Sequence, residues 1–109
     1  MSFELVFTPF FERELKQLAK KYPSIKKDIA ALAEALTATP DMGEPLGKNC
    51  YKIRMNITGK KVGKSGGARI ITHVAFINTT IYLLSIFDRS DKGNIPDKLL
   101  QEFLNLLER

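Results

Sequence analysis

The sequence predicts an α+β fold, with an N-terminal helical hairpin packed on a mostly antiparallel four-stranded sheet and a C-terminal helix. Apolar residues recur at helical spacing near both ends of the chain, whereas they alternate with polar residues in its middle. The resulting order β–α–α–β–β–β–α separates the helices from the sheet, as in the α+β class. Because the chain has 109 residues, we expect one domain covering residues 1–109.

The N-terminal segment predicts one strand and two helices. Residues 3–7 alternate and form the strand, and Thr8 followed by Pro9 is typical of a helix start, where the hydroxyl caps free amides. Pro23 ends this helix, and Ser24 can cap a second one. The apolar face of the second helix would consist of Ile25, Ile29, Leu32 and Leu36. The two helices therefore form a hairpin.

The middle of the chain predicts a loop followed by a three-stranded meander. Residues 39–49 contain two prolines and two glycines without periodicity, which indicates a loop. Residues 50–57 alternate regularly, with Lys52 and Arg54 on one face and apolar side chains on the other. Two further β-rich runs follow a glycine-rich turn, residues 68–77 and 80–87.

The last predicted element is a helix opened by Asn94 and Pro96. Its buried side would consist of Leu99, Leu100, Phe103, Leu104 and Leu107. Helices must cover one face of the sheet. Because burying unpaired cations costs too much free energy, we expect the face that carries Lys52 and Arg54 to be the open one.

The positive charge is concentrated in the middle of the chain. The net charge is +5, from 17 Lys and Arg against 12 Asp and Glu. Residues 45–87 contain no acid, but they contain seven cations, Lys48, Lys52, Arg54, Lys60, Lys61, Lys64 and Arg69. Because solvated surfaces usually intersperse both signs, this segment predicts a phosphate-bearing or acidic protein partner. A basic surface without a ligand is the alternative.

Four of the cations could act on one phosphodiester. Strand geometry places Lys52 and Arg54 about 6–7 Å apart on one face, with Arg69 entering the next strand and Arg89 leaving the last. If the substrate is RNA, its 2′-hydroxyl supplies the nucleophile, and the protein needs only to move protons and stabilise charge. Lys52 could be a general base, if crowding by arginines lowers its pKa, or a phosphate contact.

Other chemistries find little support in the sequence. One cysteine, Cys50, and one histidine, His73, are too few for a disulfide or a zinc site, so we expect no metal and no small-molecule cofactor. Gly59 and Gly63 enclose three residues where a P-loop needs four, which excludes that motif. His73 could be a general acid or a sheet residue without catalytic duty. Without a signal peptide or apolar span, we expect a cytoplasmic protein without a membrane partner.

Three strings carry a resemblance to a known family. CYKIR at residues 50–54, GGARIITHV at residues 66–74 and LLSIFDRSDK at residues 83–92 resemble the RelE family of bacterial type II toxin–antitoxin toxins. The insert GKSGGAR is most similar to its HigB-like branch. The resemblance implies a RelE-like fold and a toxin that cuts mRNA in the ribosomal A site by 2′-hydroxyl attack. It also implies two partners, mRNA on the ribosome and a cognate antitoxin.

The resemblance also implies which residues form the site. By position, the family's catalytic basic residues correspond to Lys52, Arg54, Arg69 and Arg89. Further RNA contacts are expected from Lys48, Lys60, Lys61, Lys64 and Lys92. The chain departs from the family at Ile95, where a tyrosine that acts in proton transfer is expected. Two alternatives therefore stay open: a ParE-like toxin that inhibits DNA gyrase, and a binding module that has lost catalysis.

Overall fold

A mixed five-stranded sheet, counted over the described residues, lies at the centre of the computed structural model, which describes residues 3–58, 67–88 and 95–107. The elements are β1 (Glu4–Phe7), α1 (Pro9–Lys21), α2 (Ile25–Ala38), β2 (Glu44–Gly47), β3 (Cys50–Met55), β4 (Ala68–Ala75), β5 (Thr80–Asp88) and α3 (Asp97–Leu107). The strand order is β1-β5-β4-β3-β2. β1 is parallel to β5, and the other neighbours are antiparallel. The predicted α+β class is confirmed.

The start of α1 follows the prediction. The Thr8 Oγ1 accepts the Phe11 N–H at 3.3 Å, and Pro9 occupies the first turn, where its missing N–H is harmless. The Thr8 hydroxyl also donates to the Leu83 carbonyl at 2.8 Å, which ties the beginning of α1 to β5.

Ser24 occupies the N-cap position of α2, as predicted, but its side chain makes no capping hydrogen bond. Ser24 has φ −77° and ψ −8°, a helical conformation, whereas a capping residue is usually extended. Its hydroxyl donates instead to the Thr58 carbonyl at 2.5 Å, beyond the end of β3. The predicted apolar face of α2 is confirmed, because all four of its residues are buried.

The helical hairpin covers one face of the sheet. The hairpin-side core consists of Phe11, Ile25, Ile29, Leu32, Leu36, Ile53, Met55, Ile57, Ala68, Ile70, Val74, Ile81, Leu83 and Ile86. Residues on this face alternate along β3, as the sequence predicted, and they also alternate along β4. They face the helices because apolar burial is the main favourable contribution to folding.

The opposite face, which carries Lys52 and Arg54, was predicted to be open, but part of it is covered. Helix α3 packs against it and forms the α3-side core, which consists of Cys50, Ile71, Leu84, Phe87, Ile95, Leu100, Phe103 and Leu104. The prediction weighed only the cations of one strand. The strands β4 and β5 place apolar side chains on this face as well, and these require a cover.

Residues 39–49 were predicted as a loop, but residues 44–47 form the edge strand β2. A four-residue strand shows too little alternation to be recognised, and Pro45 is tolerated because an edge strand pairs on one side only. Gly43, just before the strand, has φ +99°, and a Cβ there would lie 2.5 Å from the Lys52 carbonyl oxygen. The close approach of β2 to β3 therefore requires glycine at this position.

A bulge in β5 links it to both helical layers. Ile71 pairs with Ser85 and Thr72 with Leu83, so that Leu84 is an extra residue. Leu84 belongs to the α3-side core, whereas the Ser85 hydroxyl donates to the Glu14 carboxylate of α1 at 2.8 Å.

Candidate nucleic-acid interface

Arg54 and Arg69 lie directly opposite each other in the pairing of β3 with β4. Arg54 is exposed, whereas Arg69 is only 4% exposed and donates through Nη1 to the Ala68 carbonyl at 3.2 Å. Lys52 lies two residues before Arg54 on the same face, opposite Ile71. The register thus brings together three of the four predicted catalytic residues. Guanidinium and ammonium groups that share one sheet face provide hydrogen-bond donors with the charge and geometry to bind a phosphate.

Lys52 has a carboxylate partner that the sequence analysis did not find. Its Nζ lies 3.3 Å from Glu44 Oε2, and its side chain is 14% exposed, against 63% for Glu44. Glu44 lies opposite Lys52 in the pairing of β2 with β3. It immediately precedes the acid-free segment, and only the missed strand β2 brings it onto the basic face.

The other predicted site residues are not gathered at this place. Arg89 and the lysines Lys60, Lys61, Lys64 and Lys92 lie outside the described residues. Lys48 lies in the turn between β2 and β3, at the opposite end of β3 from Arg54, and its Nζ donates to the Gln101 side-chain oxygen of α3. Ile95 is buried in the α3-side core.

His73 shares a face with Arg69 but lies four residues further along β4, about 13 Å away at the usual strand rise. It is the cross-strand neighbour of Cys50 and Tyr82. Its Nδ1 lies 3.5 Å from Cys50 Sγ, and its ring stacks beside the Tyr82 ring at 6.3 Å. Burial lowers the pKa of His73 below its usual value, an effect partly opposed by a hydrogen bond to the Lys48 backbone. His73 is therefore too far from Arg54 and Arg69 to act as a general acid on a phosphate bound between them.

Cys50 is buried, and burial raises its pKa to about 11. The thiol therefore stays protonated at neutral pH. Since the thiolate is the reactive form, Cys50 is a packing residue of the sheet.

A second polar cluster lies on the hairpin side of β5. The Asp88 carboxylate is buried, accepts the Tyr22 hydroxyl at 3.0 Å and lies 3.9 Å from Lys21 Nζ. Glu14 accepts the Ile86 N–H at 3.1 Å besides the Ser85 hydroxyl. These carboxylates anchor α1 to β5.

Neither a metal-ligand cluster nor a membrane-spanning helix occurs among the described residues. No group of three or more His, Cys, Asp and Glu side chains there is arranged to hold a metal ion. No helix in the same part of the chain has the length and apolar character needed to span a membrane.

Comparisons with known proteins agree with this geometry. The profile of the family described as ParE toxin of type II toxin-antitoxin system, parDE, matches residues 5–93. A double mutant of the E. coli toxin RelE in the free state superposes with a TM-score of 0.59 at 19% identity, covering 84% of this chain and 88% of that chain. A chain of the intact E. coli RelBE toxin–antitoxin complex superposes with a TM-score of 0.57 at 17% identity, covering 77% of this chain and 93% of that chain. No curated protein sequence matches the chain. At these identities the solved structures establish a shared fold.

Proposed function

Since the chain belongs to the ParE toxin family of type II toxin–antitoxin systems, within the RelE/ParE superfamily, we propose that it arrests growth by cleaving mRNA on the ribosome. The observation that carries this proposal is the opposition of Arg54 and Arg69 beside Lys52 on one sheet face. Guanidinium groups bind phosphate through two parallel hydrogen bonds and stabilise the charge that develops on it. The proposed place of action is the cytoplasm.

The cleavage itself needs no cofactor. The RNA 2′-oxygen attacks the adjacent phosphorus, the bond from phosphorus to the 5′-oxygen breaks, and a 2′,3′-cyclic phosphate and a 5′-hydroxyl result. The 2′-hydroxyl loses one proton and the 5′-oxygen gains one. Arg54 and Lys52 would hold the phosphate, with Arg69 beneath them. Arg89 is predicted to join them, and Ile95 contributes packing but no proton.

Expression in growing bacteria tests this function. Primer extension after induction should show new mRNA ends, and Arg54→Ala should strongly reduce both cleavage and growth arrest. Arg13→Ala removes the same charge from an exposed position on α1 and serves as the matched control. Intact transcripts during complete growth arrest would contradict the proposal. Unchanged growth would instead favour a binding module without catalysis.

A second candidate function is inhibition of DNA gyrase, and the match to the ParE family profile over residues 5–93 favours it. The two candidates differ in their direct target. A purified gyrase supercoiling assay separates them: inhibition by the toxin in the absence of ribosomes, together with intact mRNA in cells, supports the gyrase function.

Membership of a toxin–antitoxin family also supports a cognate antitoxin as partner, and the RelBE structure is that of a toxin–antitoxin complex. We expect the antitoxin to bring acidic or helical segments to the exposed cations. Co-expression with the protein encoded by the adjacent reading frame should restore growth, and the two proteins should purify as a complex.

A further inference from the structure

A cavity lies on the α3 side of the sheet, at the opposite end from Arg54 and Arg69. Its volume is about 370 Å³, and its lining includes Lys48, His73, Asn78, Tyr82, Gln101 and Leu104. His73 and Tyr82 come from adjacent strands, Lys48 and Asn78 from turns, and Gln101 and Leu104 from α3. Of these residues, only Lys48 was predicted to contact RNA.

The floor of this cavity is aromatic. The His73 and Tyr82 rings are cross-strand neighbours with their centroids 6.3 Å apart and their planes 29° from parallel. Both side chains are half-buried, so their positions are fixed while part of each ring faces the cavity. Burial lowers the pKa of His73, which favours the neutral imidazole, and the ring offers a flat surface to the cavity.

The rim of the cavity is polar and positively charged. The Lys48 ammonium donates to the Gln101 side chain across the opening, and Asn78 adds an amide that can both donate and accept. A flat aromatic floor with amide groups and one cation at the rim matches the chemistry of a nucleotide. A base could stack on the rings with its edge at the Asn78 amide, and a phosphate could contact the Lys48 ammonium.

The position of the cavity relates it to the arginine pair. Cys50, His73 and Tyr82 form one row across the sheet, and Arg54 lies four residues further along β3 than Cys50, about 13 Å away. Lys52 lies between Cys50 and Arg54 on the same face of β3.

We propose that the cavity bounded by His73 and Tyr82 binds one base of a single-stranded RNA, another phosphate of which is held about 13 Å away at Arg54. The inference rests on the proposed RNA-directed function and names the subsite that would fix the position of the strand. Tyr82 and His73 are binding residues here, since they contact the base and not the reacting phosphate.

Fluorescence polarisation with a labelled, uncleavable 2′-O-methyl hexaribonucleotide tests the proposal. Tyr82→Leu keeps the bulk but removes the ring, and it should weaken binding by roughly five- to 150-fold, the usual effect of losing one stacked base. Tyr82→Phe keeps the ring and should recover most of this loss. In NMR spectra of the wild-type protein, the same RNA should shift the ring protons of His73 and Tyr82.

The outcomes distinguish the inference from the function on which it rests. If Arg54→Ala and wild type bind the hexamer equally, the RNA function fails. If Arg54→Ala weakens binding while Tyr82→Leu does not, or if the wild-type ring protons do not move, the base subsite is refuted and the function stands. If Tyr82→Leu abolishes neutralisation by the antitoxin but leaves RNA affinity unchanged, the cavity receives a protein and the inference is wrong. The wild-type spectra decide the matter even if a variant does not fold.

Discussion

At the scale of single residues, Glu44 determines how much of the basic face a ligand can use. Its carboxylate lies 3.3 Å from the Lys52 ammonium, and this pair must separate before Lys52 can bind phosphate. The cost is modest, because Glu44 is 63% exposed and ion pairs that are partly solvated contribute roughly 0.2–1 kcal/mol. Under the proposed function, Glu44 would therefore compete weakly with RNA for Lys52.

Glu44→Gln should accordingly bind the hexaribonucleotide more tightly than wild type, by roughly 1.4- to fivefold. The gain should disappear when Lys52 is replaced by Ala in the same chain, because the released ammonium is then missing. Fluorescence polarisation measures all four members of this double-mutant cycle. An equal gain with and without Lys52 would mean that the carboxylate acts only through the overall charge.

Cys50 should make the stability of the protein depend on alkaline pH. Its pKa is about 11 in the folded protein against 9.0 for an unperturbed thiol, so the folded state retains a proton that the unfolded state loses. The stabilisation is complete below pH 9 and is lost as the pH rises through 11, by about 2–3 kcal/mol. Urea unfolding at several pH values should show this decline in wild type and a shallower one in Cys50→Ala. Parallel curves would show that Cys50 does not titrate differently on folding.

His73 should also make the stability of the protein depend on pH, but on the acidic side. Its lowered pKa means that the unfolded state binds a proton more readily. The folded state should therefore lose stability as the pH falls below the unperturbed value of 6.5, and His73→Gln should remove this contribution. Urea unfolding between neutral and mildly acidic pH measures it.

At the scale of elements, α3 is held to the sheet by a small number of large side chains. Phe103 is 7% exposed, and its ring lies 5.0 Å from that of Phe10 at the start of α1. Leu106 is on the same helix but 62% exposed. The two residues thus offer a matched pair for measuring how strongly the helix is attached.

Phe103→Ala should lower the free energy of unfolding by about 3–5 kcal/mol, as usual for a buried phenylalanine. Leu106→Ala should change it by less than about 0.5 kcal/mol, because that side chain is mainly solvated. Urea denaturation followed by circular dichroism compares the two. Similar midpoints for both variants would indicate that α3 is only loosely attached to the sheet.

Element prediction succeeded where a local pattern determines the structure. Thr8 and Pro9 specify the start of α1 through their own backbone and side-chain chemistry, and the spacing of Ile29 and Leu32 identifies a helix face. The face on which α3 packs could not be predicted in the same way. It depends on apolar residues from two other strands and on a bulge at Leu84, which are tertiary features.

At the scale of the whole molecule, the strand register accounts for most of the candidate site. Parity along β3 predicted that Lys52 and Arg54 share a face, and pairing with β4 brings Arg69 opposite Arg54. The carboxylate of Glu44 was missed because β2 is too short to recognise. The cavity at Tyr82 was missed because its lining comes from strands, turns and a helix that the sequence pattern does not bring together.

The net charge of +5 predicts RNA binding that weakens steadily with salt. For a single strand, the slope of log affinity against log salt is about −0.7 for each phosphate contact. Arg54→Ala should make the slope shallower by about 0.7, whereas Arg13→Ala should leave it unchanged. Titrations between about 50 and 200 mM salt measure these slopes. Equal slopes in all three proteins would show that Arg54 does not contact a phosphate.

The pairing of β1 with β5 has a consequence for when the toxin becomes active. Glu4 pairs with Thr80, and the Thr8 hydroxyl donates to the carbonyl of Leu83, which is near the other end of the chain. The first strand therefore has no partner until most of the chain has been synthesised. Such long-range contacts also slow folding, since a large loop must close before they form. The sheet that orients Arg54 and Arg69 is thus completed only late in translation. Under the proposed function, a nascent chain would therefore not yet act on the ribosome that makes it.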